Sequence, residues 1–201
     1  QPNEIKARYS KMLYLAEVYS NYNSGRTVCV IHGASSYHLP AERLYADTLE
    51  FLKWGLDEFP HLTFALENNA PAKDDKQLKF GAERQSVLEV VKAIASERLV
   101  ICWDLGHDSL HHRQDPPPAA WLKQVIHVHV HDIAEDGLDH YPLIYNRVPY
   151  RDWLPLLKDC DTELTAILEL KGSQLTGWPP EQIHTALVKS IQVLKTTVSG
   201  S

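Results

Sequence analysis

Residues 125–132 read VIHVHVHD and place His127, His129 and His131 at every second position. Side chains two apart on a β-strand share a face. The three imidazoles would therefore point one way, and Ile126, Val128 and Val130 the other. A face of three histidines is costly to bury unless something pairs with it or binds it.

The flanking sequence supplies the frame for this strand. RTVCVIHG (26–33), HLTFALENN (61–69), RLVICWDLGH (98–107) and LTAILEL (164–170) are further short apolar, β-branched runs. Helical periodicity marks 4–20, 41–59 (after Pro40), 83–96, 150–159 and 179–198, while PPPAAWLKQ leaves room for a short helix at most. One helix followed by five β/α units argues for a parallel sheet, and near-continuous apolar strands argue that both of its faces are covered. The irregular stretches 108–118 and 133–149 both follow strands, where α/β proteins carry their working loops.

The bulk composition excludes several classes. The chain has 201 residues, 44% hydrophobic and 23% charged, the mix of a globular protein and most simply one domain over 1–201. No apolar run approaches the roughly 20 residues of a membrane helix, and the opening QPNEIKARYSKMLYLAEVYS lacks the apolar segment of a signal peptide. Cys29, Cys102 and Cys160 form no CxxC and are too few for a disulfide framework, which points to free thiols in a reducing, cytoplasmic compartment. A net charge of −6 without a basic cluster argues against nucleic acid as the main partner.

The C-terminal ends of the five strands carry the chemistry. They deliver His32, then Glu67-Asn68-Asn69, then Asp104 through His107, then His129, His131 and Asp132, then Glu169. In a parallel barrel these ends converge where active sites lie. Imidazoles and carboxylates without thiolates suit Zn, Mn, Fe, Co or Mg at a working site better than a structural zinc knot. Among the bland readings, His127 is a packing residue, Asp104 a helix cap, His111 and His112 solvated, and Trp103, Trp121 and Trp153 core. SSYH (35–38) reads as the turn into a helix, and Asp132, beside His131, as a substrate or ligand-orienting contact or, equally, a structural residue.

ALENN (65–69), WDLGH (103–107), HVHVHD (127–132) and ILEL (167–170), in that order and spacing, resemble the xylose-isomerase-like (β/α)8 barrel superfamily of sugar isomerases, epimerases, inosose dehydratases and zinc-dependent apurinic endonucleases. The resemblance implies a TIM-barrel type α/β fold with a metal tetrad at Glu67, Asp104, His129 and Glu169. It implies Glu67 and Glu169 as the acid/base pair, and His32, His107, His131 and His140 as contacts to substrate or a second metal. It also implies that the barrel is incomplete: the five units match the family's strands four to eight, the N-terminal third is missing, and a full barrel takes about 250 residues. An open sheet exposes edges, so self-association into a homo-oligomer is expected.

The chain departs from the family's pattern at three places. The turn after DHYPL (139–143) continues Ile144-Tyr145-Asn146 in place of Gly-acid-Gly. Leu138 stands two before His140 where the endonuclease branch has Asp. Glu135 stands near the place of an epimerase-type arginine. The expected function is a divalent-metal-dependent isomerase or epimerase of a small sugar or polyol, working through an enediolate. The alternatives are an apurinic endonuclease-type phosphodiesterase and an inactive partial barrel.

Overall fold

The apolar runs form strands, and the amphipathic segments between them form helices, in a computed structural model that describes residues 2–23, 25–72, 74, 76–111, 115–158 and 164–199. The chain divides into two compact units, residues 1–102 and 103–201.

In the first unit, helix α1 (Pro2–Tyr22) leads to strand β1 (Thr27–His32), helix α2 (Ala41–Glu58), strand β3 (Leu62–Glu67), helix α3 (Arg84–Ile94) and strand β5 (Leu99–Asp104), whose last two residues belong to the second unit. The order is β1-β3-β5, with β3 parallel to both neighbours. The β1/β3 register runs from Thr27 opposite Leu62 to His32 opposite Glu67. α2 buries Leu44, Thr48, Leu52, Gly55 and Leu56, a stripe at helical spacing. Gly55 is required there, because a Cβ would lie 2.9 Å from the Phe64 ring of β3. The end of α2 and the start of β3 meet Arg98, whose guanidinium donates to Leu56, Phe59 and Leu62 oxygens at 2.6, 3.0 and 3.1 Å. α3 ends on Ala95 in the left-handed region (φ 51°).

Two differences from the sequence expectation fall in this unit and at its boundary with the second. SSYH is more than a helix-entry turn: Ser35–Ser36 (β2) pairs antiparallel with Leu78–Lys79 (β4), while the Ser36 hydroxyl accepts the His38 and Leu39 N–H groups. β5 also stops at Asp104, so Gly106 and His107 are helical rather than strand residues.

In the second unit, β5 runs directly into helix α4 (Leu105–Leu110), followed by α5 (Ala119–Leu122), β6 (Val125–Val130), α6 (Tyr150–Trp153) continued by a 3-10 turn (Leu154–Leu157), β7 (Thr165–Leu168) and α7 (Pro180–Ser199). β6 is parallel to β7 from His127 opposite Thr165 to Val130 opposite Leu168. Trp103, Trp121 and Trp153 are buried, as core residues should be, and the Trp103 indole donates to Asp108 at 2.6 Å. β3, β5 and β6 are buried throughout, whereas β1 is half-buried and β7 mostly exposed. Among the described residues β1 and β7 each have one strand neighbour, in keeping with the expected open edges. His112 and Cys160 lie outside the described residues. No helix of the described residues is long and apolar enough to cross a membrane.

Candidate metal centre

The strand reading of VIHVHVHD holds through Val130, and Ile126, Val128 and Val130 are all buried. The three histidines are buried too, in three different environments. His127 lies deepest in the strand, edge-on to His129 with ring centroids 5.3 Å apart. His129 turns Nδ1 to Glu169 Oε2 at 3.1 Å. Glu169 follows β7 directly and is held by its backbone N–H donating to the Val130 carbonyl at 3.1 Å. His131, one residue past β6, is fully buried with Nε2 3.2 Å from Asp104 Oδ1.

Asp104 closes β5 and caps α4, its Oδ1 accepting the His107 N–H at 2.7 Å. The helix-cap reading therefore holds, and it leaves the carboxylate among the imidazoles: Oδ2 is 3.5 Å from His107 Nδ1. Ligand atoms of Asp104, His129 and Glu169 lie within 4.8 Å of one another, as do those of Asp104, His107, His131 and His140. Zn–N and Zn–O bonds run about 2.0–2.2 Å, so two ligands of one ion sit up to about 4.4 Å apart. Movements of tenths of an ångström would bring the first set onto an ion. Glu169 Oε2 is buried yet makes no hydrogen bond of normal geometry, the arrangement of a ligand atom turned toward a cation. The donor set fits a divalent metal.

His140 sits at the centre of the loop after β6, in the left-handed region (φ 63°). Three contacts hold it there. Asp132 and Tyr141 exchange backbone hydrogen bonds at 2.8 and 3.1 Å, the Lys171 N–H donates to the His140 carbonyl at 3.2 Å, and Gln174 donates to the Asp139 carbonyl at 3.0 Å. Its Nδ1 is 3.0 Å from Asp139 Oδ1 and its Nε2 3.6 Å from Glu169 Oε2. Burial works to lower the His140 pKa, but the Asp139 and Glu169 carboxylates outweigh it and raise it to about 9. His129, then His140, hold the Glu169 carboxyl well below the usual carboxylate range. Asp139 is held low by His140 first and also by Lys171, 2.9 Å away.

Of the residues singled out from sequence, Asp104, His107, His129, His131, His140 and Glu169 come together in the second unit. Glu67 and His32 pair in the first, Glu67 Oε2 lying 3.0 Å from His32 Nε2 with the carboxylate buried and the imidazole exposed. Sequence reasoning missed the roles of Gly106, Asp139 and Lys171, and it read Asp132 as a substrate or ligand-orienting contact or, equally, a structural residue. Gly106 lies under the His131 ring, and Asp139 and Lys171 brace His140. Asp132 anchors the loop, its carboxylate accepting five backbone N–H groups from Ile133 and residues 145–148. Asp139 stood beside His140 in DHYPL, and that adjacency was the available signal. Gly106 and Lys171 have none at short range.

No curated protein matches the chain in sequence. Solved structures do match in fold. A D-tagatose 3-epimerase-like protein superposes with TM-score 0.67 at 21% identity, over 99% of this chain and 73% of its own. A zinc-bound IOLI protein gives 0.63 at 15%, over 98% and 70%. A xylose isomerase domain protein from Alicyclobacillus acidocaldarius gives 0.61 at 16%, over 86% and 63%. These likenesses show an α/β fold corresponding to part of a TIM barrel. The family model for the xylose isomerase-like TIM barrel matches residues 17–197, and the chain belongs to that family.

Proposed function

We propose that the chain is a divalent-metal-dependent isomerase or epimerase of a small sugar or polyol, with Glu67, Asp104, His129 and Glu169 as metal ligands. The observation that carries this reading is the convergence of Glu169 Oε2, His129 and Asp104 in the second unit. Glu67, proposed as the fourth ligand, ends β3 in parallel register with β5, opposite Cys102. The names of the matched structures, among them an epimerase-like protein and a zinc-bound protein, support the reaction class and the metal.

Such a metal supplies a Lewis acid that lowers the cost of charge on substrate oxygens. The protein residues supply proton transfer and orientation. Glu169, ionised at neutral pH, and Glu67 are the proposed acid/base pair that moves the proton at the carbon next to a carbonyl. His140, with a pKa of about 9, carries a proton at neutral pH and can donate to a substrate oxygen beside Glu169. His32 and His107 serve as further substrate contacts. The phosphodiesterase alternative is less well supported, because His140 Nδ1 already faces Asp139 and the chain carries net charge −6.

Elemental analysis of the purified chain and of Glu169→Gln is the first test, followed by NMR of ketoses and inososes in D2O with added Mn2+ or Co2+. Stoichiometric metal that Glu169→Gln loses, together with deuterium entering next to the carbonyl, is expected. A chain that takes up no metal after soaking would sink the site. A metal-loaded chain that exchanges no substrate proton would sink the reaction.

A further inference from the structure

We propose that His131 is a positioning residue for the Asp104 carboxylate, and neither a metal ligand nor a substrate contact. The inference rests on the reading of Asp104 as a ligand given above. The His140 backbone N–H donates to His131 Nδ1 at 3.0 Å, inside the protein. A backbone amide can only donate, and its 3.0 Å bond is shorter than the 3.4 Å from Nδ1 to the Asp132 carbonyl, so Nδ1 presents a lone pair and the proton of the neutral ring sits on Nε2. That nitrogen is 3.2 Å from Asp104 Oδ1, within reach of an N–H···O bond though bent from its ideal line. A protonated Nε2 has no lone pair for a cation, and Nδ1 is engaged by the His140 N–H.

The ring itself is held in place. The His140 imidazole stacks on it with centroids 4.1 Å apart and planes 9° apart. On Gly106 a Cβ would lie 2.0–2.5 Å from three His131 ring atoms, so the α4 backbone presses against the imidazole at a point only glycine permits. For Asp104 the consequence is an assignment of its two oxygens. Oδ1 takes the His107 N–H and faces His131 Nε2, and Oδ2 is the oxygen assigned to the cation. Carboxylate and imidazole partners behind a ligand commonly orient it and set its affinity. Here the chain of contact runs from the His140 backbone through His131 to Asp104.

The test uses the full chain, with Mn2+ and Co2+ as probes. His131→Gln keeps an N–H within reach of Asp104, and His131→Leu removes it. Metal affinity by calorimetry should fall about 10–100-fold in His131→Leu and recover to within a few-fold of native in His131→Gln, and the visible spectrum of bound Co2+ should be the same in native and His131→Gln chains. A changed Co2+ spectrum in His131→Gln would make His131 a ligand and overturn the proposal, as would native affinity in His131→Leu. Should the leucine variant fail to fold by circular dichroism, the glutamine variant and the tautomer still decide. In 15N-labelled metal-free native protein, two-bond 1H–15N correlations should show His131 neutral, with its proton on Nε2; a proton on Nδ1 would overturn the proposal. A native chain that binds no metal overturns the site reading and this assignment together, and that outcome is seen before any variant is made.

Discussion

Replacing Asp132 by Asn tests how the loop after β6 is held. The Asp132 side chain is fully buried. Its Oδ2 accepts the Tyr145 and Asn146 N–H groups at 2.7 Å each, and its Oδ1 accepts those of Ile133, Arg147 and Val148 at 3.0, 3.0 and 3.4 Å. Asparagine has nearly the same shape, but one of its two ends donates. Placed with the amide nitrogen at Oδ2, it sets a donor against two N–H groups. Flipped, it sets a donor against three. Either orientation loses at least two bonds to an ionised acceptor, worth about 1.5–3 kcal/mol each, so the cost is about 3–6 kcal/mol. Domains of this size are stable by only about 5–15 kcal/mol. Urea unfolding should register that loss, or, where the loop opens by itself, hydrogen exchange at the amides of residues 145–148 should accelerate by the corresponding factor. An unfolding midpoint within the equivalent of about 0.5 kcal/mol of native, with these amides still protected, would refute the clamp.

Three further outcomes are expected. Gly106→Ala forces a methyl into the His131 ring; overpacking of this kind costs about 1–3 kcal/mol in urea and should weaken Co2+ binding at the same time, and unchanged binding would detach the ring position from the metal. In metal-free protein, His140 rises from 6.5 unfolded to about 9 folded, so its contribution is complete below about pH 6.5 and fades as pH climbs through 9. The lowered Asp139 carboxyl contributes above its ordinary value and fails only in acid. Unfolding midpoints of native and His140→Gln chains should therefore differ at pH 6 and converge above pH 9, and parallel curves would contradict the pairing. Arg98→Met removes the donor to two carbonyls at the end of α2 and to that of Leu62 at the start of β3 and should lower stability by about 1–3 kcal/mol, read by thermal melting.

The strands were legible because each is a compact apolar run, and the alternation around His129 survives in the structure. The boundary at Asp104 was legible only in part. DLGH reads equally as the end of a strand or as a helix cap, and the Asp104 carboxylate acts as the cap. The β2–β4 pair escaped notice because two residues have no period to detect. Asp132 looked like a site residue from its neighbour His131, yet the N–H groups that occupy it lie one and 13–16 positions downstream. A carboxylate that serves a loop and one that serves a metal look alike until the chain is folded around them.

That ambiguity bears on how VIHVHVHD is built. His129 is the last inward residue within the hydrogen-bonded ladder of β6, opposite Ile167 of β7. A ligand placed there inherits the rigidity of the sheet, which geometry-sensitive coordination demands. His131 and Asp132 lie where the ladder has ended, and both turn to backbone N–H groups of the departing loop, His131 to that of His140 and Asp132 to five others. The change of role between residues 129 and 131 thus follows from where β6 stops. Extending the ladder by two residues would carry His131 away from the His140 amide, and the neutral Nε2–H tautomer that faces Asp104 would lose the contact that selects it.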